Sequence, residues 1–236
     1  MCKDQDARAR PGSYASPPCM ATEVDPAYFD PLAVDPEQAR DVARWRRSER
    51  ERLRSERLAL SADYRAELAV RVAGHLDEFL AARVGAIPGR VVSGYWPIKG
   101  EFDLRPWLVA LHEKGAVIAL PVVEERAAPL VFRHWHPGMT MERGHWNIPV
   151  PPESAERLVP AIALSPLVGW DGAGYRLGYG GGYFDRTLAA IAPRPLVIGV
   201  GLQAARLATI YPQPHDIPMS AIVTEDGLQF ADGSGR

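Results

Sequence analysis

The chain has 236 residues, 47% hydrophobic and 24% charged, with a formal net charge of -2. That length suits one large α/β domain with a sizeable core, and the near-neutral balance speaks against a surface built throughout for nucleic acid or membrane. No stretch approaches the roughly 20 apolar residues of a membrane span, and the opening MCKDQDARARPGSYASPP lacks the apolar segment of a secretory signal.

Residues 1–34 read as a polar, Pro-containing lead-in that is expected to be disordered. Met20 opens MATEVDPAYFDP inside it and is a candidate start. Cys2 and Cys19, the two cysteines, also lie there without Cys-x-x-Cys spacing, so a reducing cytoplasm is the expected compartment. Residues 35–236 are expected to form the folded domain. Asp35-Pro36 starts a helix that runs to Leu60. Ser61 caps a second helix, with Leu68, Val72, Leu76 and Leu80 on one face and Gly85 at its end.

The pattern then changes. RVVSGYWP is a strand and DLRPWLVALHEKG a helix closed by Gly115. AVIALPVV is apolar enough to be buried on both faces of a parallel sheet. PLVFRHWHPG alternates as an edge or hairpin strand, and AIALSPLVGW reads as one apolar strand. A helix begins near Phe184 and carries TLAAIA, PLVIGVGL is a further strand, and SAIVTEDGLQF is a hairpin with a D-G turn. Strand and helix alternate, which predicts a single three-layer α/β/α domain with a mostly parallel, Rossmann-like sheet and an N-terminal helical segment.

Residues 176–186 read RLGYGGGYFDR, with Gly178, Gly180, Gly181 and Gly182 in the loop between the strand ending near Trp170 and the helix beginning near Phe184. A structural turn needs one or two glycines. Four of them in regular structure would cost roughly 1 kcal/mol each against alanine, so a ligand approached closely by backbone N–H groups is the better account. The position, between a strand and a helix start, is where α/β folds bind ligands. The Walker pattern G-x-x-x-x-G-K-S/T is absent, and the dinucleotide fingerprint fails because its third glycine falls on Tyr183. A phosphate cradle of another kind remains, with Arg176 and Arg186 to neutralise charge. Asp185 is either a Mg²⁺ ligand or a carboxylate favoured by the helix dipole.

Between Arg44 and Arg57 stand seven arginines and three glutamates. Most read as a solvated helix with i,i+4 pairs, although Arg46 and Arg50 share a face, as do Arg50, Arg54 and Arg57, and such a face could supply phosphate ligands to a site elsewhere in the fold. Trp96 ends a strand and Glu101 follows in a loop, either starting the next helix or accepting bonds from a polar substrate. His134 and His136 lack a third metal donor nearby. Asp216, in PQPHDIPMS, is a second candidate carboxylate for the same metal as Asp185.

Together these segments resemble the 5-formyltetrahydrofolate cyclo-ligase family, over about residues 44 to 226. The most specific match is SPLVGWDGAGYRLGYGGGYFDRTLA, similar to the family's R-L-G-x-G-x-G-Y-Y/F-D signature. LRSERLALSADYR, YWPIKGEFDLRPWL, IALPVV, WNIPVPP and HDIPMSAIVTEDG support it in the same order along the chain. Three departures stand out: Trp170 where Phe is usual, a smaller Gly169 beside it, and Arg46 in place of Lys.

The resemblance implies ATP- and Mg²⁺-dependent conversion of 5-formyltetrahydrofolate to 5,10-methenyltetrahydrofolate through a phosphorylated formyl (imidate) intermediate, with ADP and phosphate released. It implies that Arg46, Arg50, Arg176, Leu177, Gly178, Tyr179, Gly180, Gly181, Gly182, Tyr183 and Phe184 bind ATP. Trp96, Glu101, Trp146, Tyr179 and Tyr183 would bind folate, Asp185 and Asp216 Mg²⁺, and Arg50, Arg176, Tyr183 and Asp185 would act in catalysis. The expected partners are these small molecules, with no nucleic acid or membrane, and the chain is expected to be a monomer. Two alternatives stand beside this: a family look-alike acting on another substrate, and an RNA- or anion-binding module using the arginine-rich helix.

Overall fold

A computed structural model describes residues 36–233. The lead-in, with Cys2, Cys19, Met20 and Asp35, lies outside the described residues. Two helices come first, α1 (Pro36–Ala59) and α2 (Ala62–Arg83). Ser61 caps α2 by accepting from the Tyr64 N–H, and Leu68, Val72, Leu76 and Leu80 are all buried. Gly85, at φ +73°, closes the helix end by donating to Leu80 O.

The strands that follow build one eight-stranded sheet. Its members are β1 (Val91–Ser93), β2 (Val117–Val122), β3 (Val131–Trp135), β6 (Arg157–Leu158), β7 (Ile162–Pro166), β10 (Leu196–Val200), β12 (Ala221–Thr224) and β13 (Gly227–Ala231). The order is β13-β12-β10-β7-β1-β2-β3-β6, parallel from β12 to β2 and antiparallel at both margins. Helix α3 (Arg105–Glu113) carries the chain from β1 to β2, while β7 returns to the other side of β1 and the chain continues outward from there. Strand order therefore reverses between β1 and β7, which opens a crevice beyond their carboxyl ends.

The run AIALSPLVGW is not one strand. Leu167 N still bonds Val200 O of the large sheet at 2.9 Å, but Val168 N bonds Leu177 O at 2.9 Å. At that peptide the chain changes partners and enters a small sheet, β11-β8-β9, formed by β8 (Gly169–Asp171), β9 (Arg176–Leu177) and β11 (Arg206–Leu207). A further pair, β4 (Glu142–Arg143) and β5 (Pro149–Val150), brackets a tight turn at His145–Asn147. Helix α4 (Tyr183–Ala190) begins one residue before Phe184.

Two buried clusters hold these elements. One joins α2 and α3 to the sheet through Leu76, Trp107, Ile118, Leu164, Ile198 and Val223. The other gathers Leu53 of α1, Leu188 of α4, Trp170, Val197 and Ile222. Neighbours such as Val197 and Ile198 go to different clusters because side chains alternate along a strand. No helix of the described residues is long and apolar enough to cross a membrane.

Candidate active site

Beyond the carboxyl ends of β1, β2 and β7 lies a cavity of about 600 Å³, with Tyr95 and Trp96 after β1, Pro121 in β2 and Pro166 ending β7 among its walls. The glycine run connecting β9 to α4 closes it. Gly180 has φ +99° and Gly182, the residue before α4, has φ +64°, so side chains there would be strained. Arg50 of α1 anchors the run by donating from Nε to Gly178 O at 2.7 Å. Arg186 supports it by donating to Gly181 O at 2.6 Å and does not line the cavity.

Two buried arginine–aspartate pairs face the cavity. Arg176 holds Asp185 at 2.6 Å, and Asp185 also accepts from Ile217 N at 3.2 Å. Arg46 pairs with Asp216 and donates to the carbonyls of Ile210 (2.9 Å) and Tyr211 (2.8 Å). Asp216 in turn accepts from Gln213 N at 2.6 Å. Burial pushes the neighbouring His215 imidazole below its ordinary value, with Asp216 opposing. Among the described residues no group of three or more His, Cys, Asp or Glu is placed to hold a metal ion. His134 and His136 sit with ring centroids 6.0 Å apart.

Glu101 also lines the cavity, buried, with both oxygens engaged: Tyr179 Oη donates to one at 2.9 Å and Ile98 N to the other at 2.9 Å. Burial raises its pKa, opposed by the Ile98 bond, Arg57, Tyr179 and Lys99. Burial also lifts the Tyr179 hydroxyl above its ordinary value, with Glu101 adding to the rise. Aromatic surface surrounds these polar groups. Arg105 stacks on Trp96 at 4.6 Å, and Trp146 meets Tyr183 edge-on at 5.6 Å. Trp146 has φ +54° and is 54% exposed, held out by the β4–β5 turn.

The cavity thus collects Arg46, Arg50, Trp96, Glu101, Trp146, Arg176, Gly178, Tyr179, Gly180, Gly181, Gly182, Tyr183, Phe184, Asp185 and Asp216. Leu177 is the exception: its side chain is 1% exposed and packs in the second buried cluster. Chemically the cavity offers arginine donors of the kind that engage anions beside aromatic surface of the kind that packs on flat rings, in a volume that suits a small molecule.

A model of the 5-formyltetrahydrofolate cyclo-ligase family matches residues 42–225. The chain belongs to that family. A 5-formyltetrahydrofolate cyclo-ligase of Mycolicibacterium smegmatis is 36% identical over 145 residues, 58% of this chain and 75% of that protein. The Escherichia coli K12 protein of the same name is 26% identical over 178 residues, 73% of this chain and 96% of the relative. The solved structure of Aquifex aeolicus 5,10-methenyltetrahydrofolate synthetase superposes with a TM-score of 0.67 at 27% identity, covering 81% of this chain and 94% of that one. Its family likeness fits the mixed α/β fold and large, mostly parallel sheet found here.

Sequence reasoning passed over Tyr95 and Lys99, and offered Arg57 only as part of an arginine face reaching for phosphates, whereas its guanidinium donates to Lys99 O, Leu167 O and Tyr179 Oη. Arg57 was one of seven similar arginines, yet it is 6% exposed, as is Arg46. Its helix carried a signal: Val42 and Leu53, buried apolar residues of α1, lie four residues before Arg46 and Arg57, so all four share the inward face. Other arginines of α1 pair with carboxylates on the same helix, Arg44 with Asp41 and Arg52 with Glu49 and Glu56.

Proposed function

We propose that the protein converts 5-formyltetrahydrofolate to 5,10-methenyltetrahydrofolate at the expense of ATP. What supports the reading is the convergence, around one cavity, of a glycine run, three arginines and two aspartates with Glu101 and the aromatic rings, in a chain of this family. The two buried clusters flanking the sheet are read as the outer packing of a three-layer, Rossmann-like domain.

In this reading Arg46, Arg50 and Arg176 spread the charge of the triphosphate while backbone N–H groups of the glycine run approach it. Asp185 and Asp216, hard oxygen donors of the kind Mg²⁺ takes, would hold the ion once their partners Arg176 and Arg46 were engaged by phosphate. When bound, Mg²⁺ neutralises phosphate charge. Trp96, Tyr179, Tyr183 and Trp146 flank the folate ring system, and Glu101 accepts hydrogen bonds from its N–H edge.

An amide-like formyl oxygen is a poor nucleophile and a worse leaving group, so alignment and charge dispersal are the protein's main work. The formyl oxygen attacks the γ-phosphorus, a P–O bond forms and ADP departs. The second folate nitrogen then attacks the formyl carbon and loses its proton. The C–O bond breaks, phosphate leaves and the five-membered ring is closed. Arg50, Arg176 and Tyr183 hold the reacting groups in place. Absorbance of the methenyl product should appear with enzyme, Mg²⁺, ATP and 5-formyltetrahydrofolate and vanish when ATP is omitted. ATP binding without any response to the folate would favour another substrate.

A further inference from the structure

Arg57 is buried in α1, and among the described residues no carboxylate contacts it. Its guanidinium donates instead to three oxygens on three segments: Lys99 O at 3.1 Å, Leu167 O at 3.3 Å and Tyr179 Oη at 2.6 Å. Those segments are the loop after β1, the crossing between the two sheets, and the glycine run.

The Tyr179 bond has a definite polarity. An arginine offers only donors and stays charged, so the phenol oxygen must accept from it and turn its single proton elsewhere. That proton points to Glu101, whose oxygen lies 2.9 Å away, while Ile98 N serves the other oxygen at 2.9 Å. A donor at each oxygen favours the ionised form and opposes the burial that raises the Glu101 pKa.

We propose that Arg57 is a positioning residue which, through Tyr179, keeps Glu101 ionised and oriented to accept the N–H groups of the substrate. The substrate part rests on the function proposed above; the effect on Glu101 does not. The groups facing Glu101 are Arg57 from α1, Tyr179 from the glycine run, and Lys99 and Tyr95 from the loop after β1. The Tyr95 hydroxyl is committed to Phe102 O at 3.0 Å, and Lys99 Nζ lies 5.4 Å from the Tyr179 ring centroid. Among these, Arg57 and Tyr179 form the bonded path, and burial alone would favour the neutral acid.

The test is an NMR pH titration of the full chain carrying ¹³C-labelled glutamate, with the Glu101 signal assigned by its loss in Glu101→Gln. Arg57→Met and Tyr179→Phe should each raise the Glu101 midpoint, the former by roughly one pH unit, and Arg57→Lys should keep most of the wild-type value. Should Arg57→Met fail to fold, Tyr179→Phe still breaks the path. Unchanged midpoints in Tyr179→Phe and in whichever Arg57 variants fold would overturn the proposal, since a purely structural brace would not move them. The acid limb of kcat/KM for 5-formyltetrahydrofolate should shift with the midpoint. A moved midpoint with an unmoved limb would refute the substrate-facing part. A wild type without turnover would refute the proposed reaction and leave the titration result standing.

Discussion

Replacing Asp171 by asparagine and by alanine probes how the cavity is supported from beneath. The residue is 2% exposed. One carboxylate oxygen accepts from Ala173 N at 3.0 Å and Tyr175 N at 3.1 Å, and the other accepts from Ile210 N at 3.0 Å. The Ile210 carbonyl then receives the Arg46 Nε bond. One side chain therefore ties the turn leading to Arg176 to the segment that seats Arg46. Each buried donor left without a partner costs about 1–3 kcal/mol. Alanine strips all three, but Ala173 is exposed and its N–H can turn to water, so the two remaining donors give a total of about 2–6 kcal/mol. Against a domain stability of about 5–15 kcal/mol, that variant should be close to unfolding. Asparagine can keep an acceptor for Ala173 and Tyr175 but turns an NH₂ group toward Ile210 N–H. Its cost of about 1–3 kcal/mol corresponds to a fall in Tm of about 2–12 °C at this chain length. Circular-dichroism melts should rank wild type above asparagine and asparagine above alanine. An asparagine variant that melts with the wild type would refute the reasoning.

Three further outcomes follow from the packing and charge of the site. A Cβ on Gly169 would sit 2.7 Å from Leu53 Cδ1 and 3.2 Å from Leu207 Cδ1, so Gly169→Ala should destabilise by about 1–3 kcal/mol. Leu53→Val in the same chain should restore part of that loss in a double-mutant cycle, and strictly additive effects would contradict the contact. Because the folded state raises the pKa of Glu101, its contribution to stability is present below the ordinary value of 4.5 and is lost as pH rises through the folded value. The Tm of Glu101→Gln should therefore gain on that of the wild type between pH 4.5 and neutrality, and a flat difference would tell against the shift. If Trp146 flanks the folate as proposed, Trp146→Ala removes an aromatic contact to the ligand worth about 0.5–1.5 kcal/mol, so KM for the folate should rise about 2- to 12-fold; an unchanged KM would remove Trp146 from the folate site.

Much of this fold was legible in the residues, for identifiable reasons. Helix α2 announced itself through four leucine and valine positions on one face and a serine cap, and AVIALPVV through an apolar run that only a sheet buried on both faces accommodates. The break after Pro166 was not legible. Leu167 and Val168 are both buried, so the run stays apolar across the change of partners. Strands β4, β5, β6, β9 and β11 have two residues each, too few to carry a period. Pairings such as Arg46 with Asp216, 170 residues apart, emerge only from the fold. Gly169, which departs from the family pattern beside Trp170, leaves room for Leu53 of α1.

The origin of the oxygen in the released phosphate tests the central claim most directly. With 5-formyltetrahydrofolate labelled by ¹⁸O at the formyl oxygen, attack on the γ-phosphorus transfers that oxygen to phosphate when the ring closes. The account predicts one ¹⁸O in each phosphate released, in step with methenyl product and ADP. Phosphate free of the label, formed while the methenyl product accumulates, would contradict it.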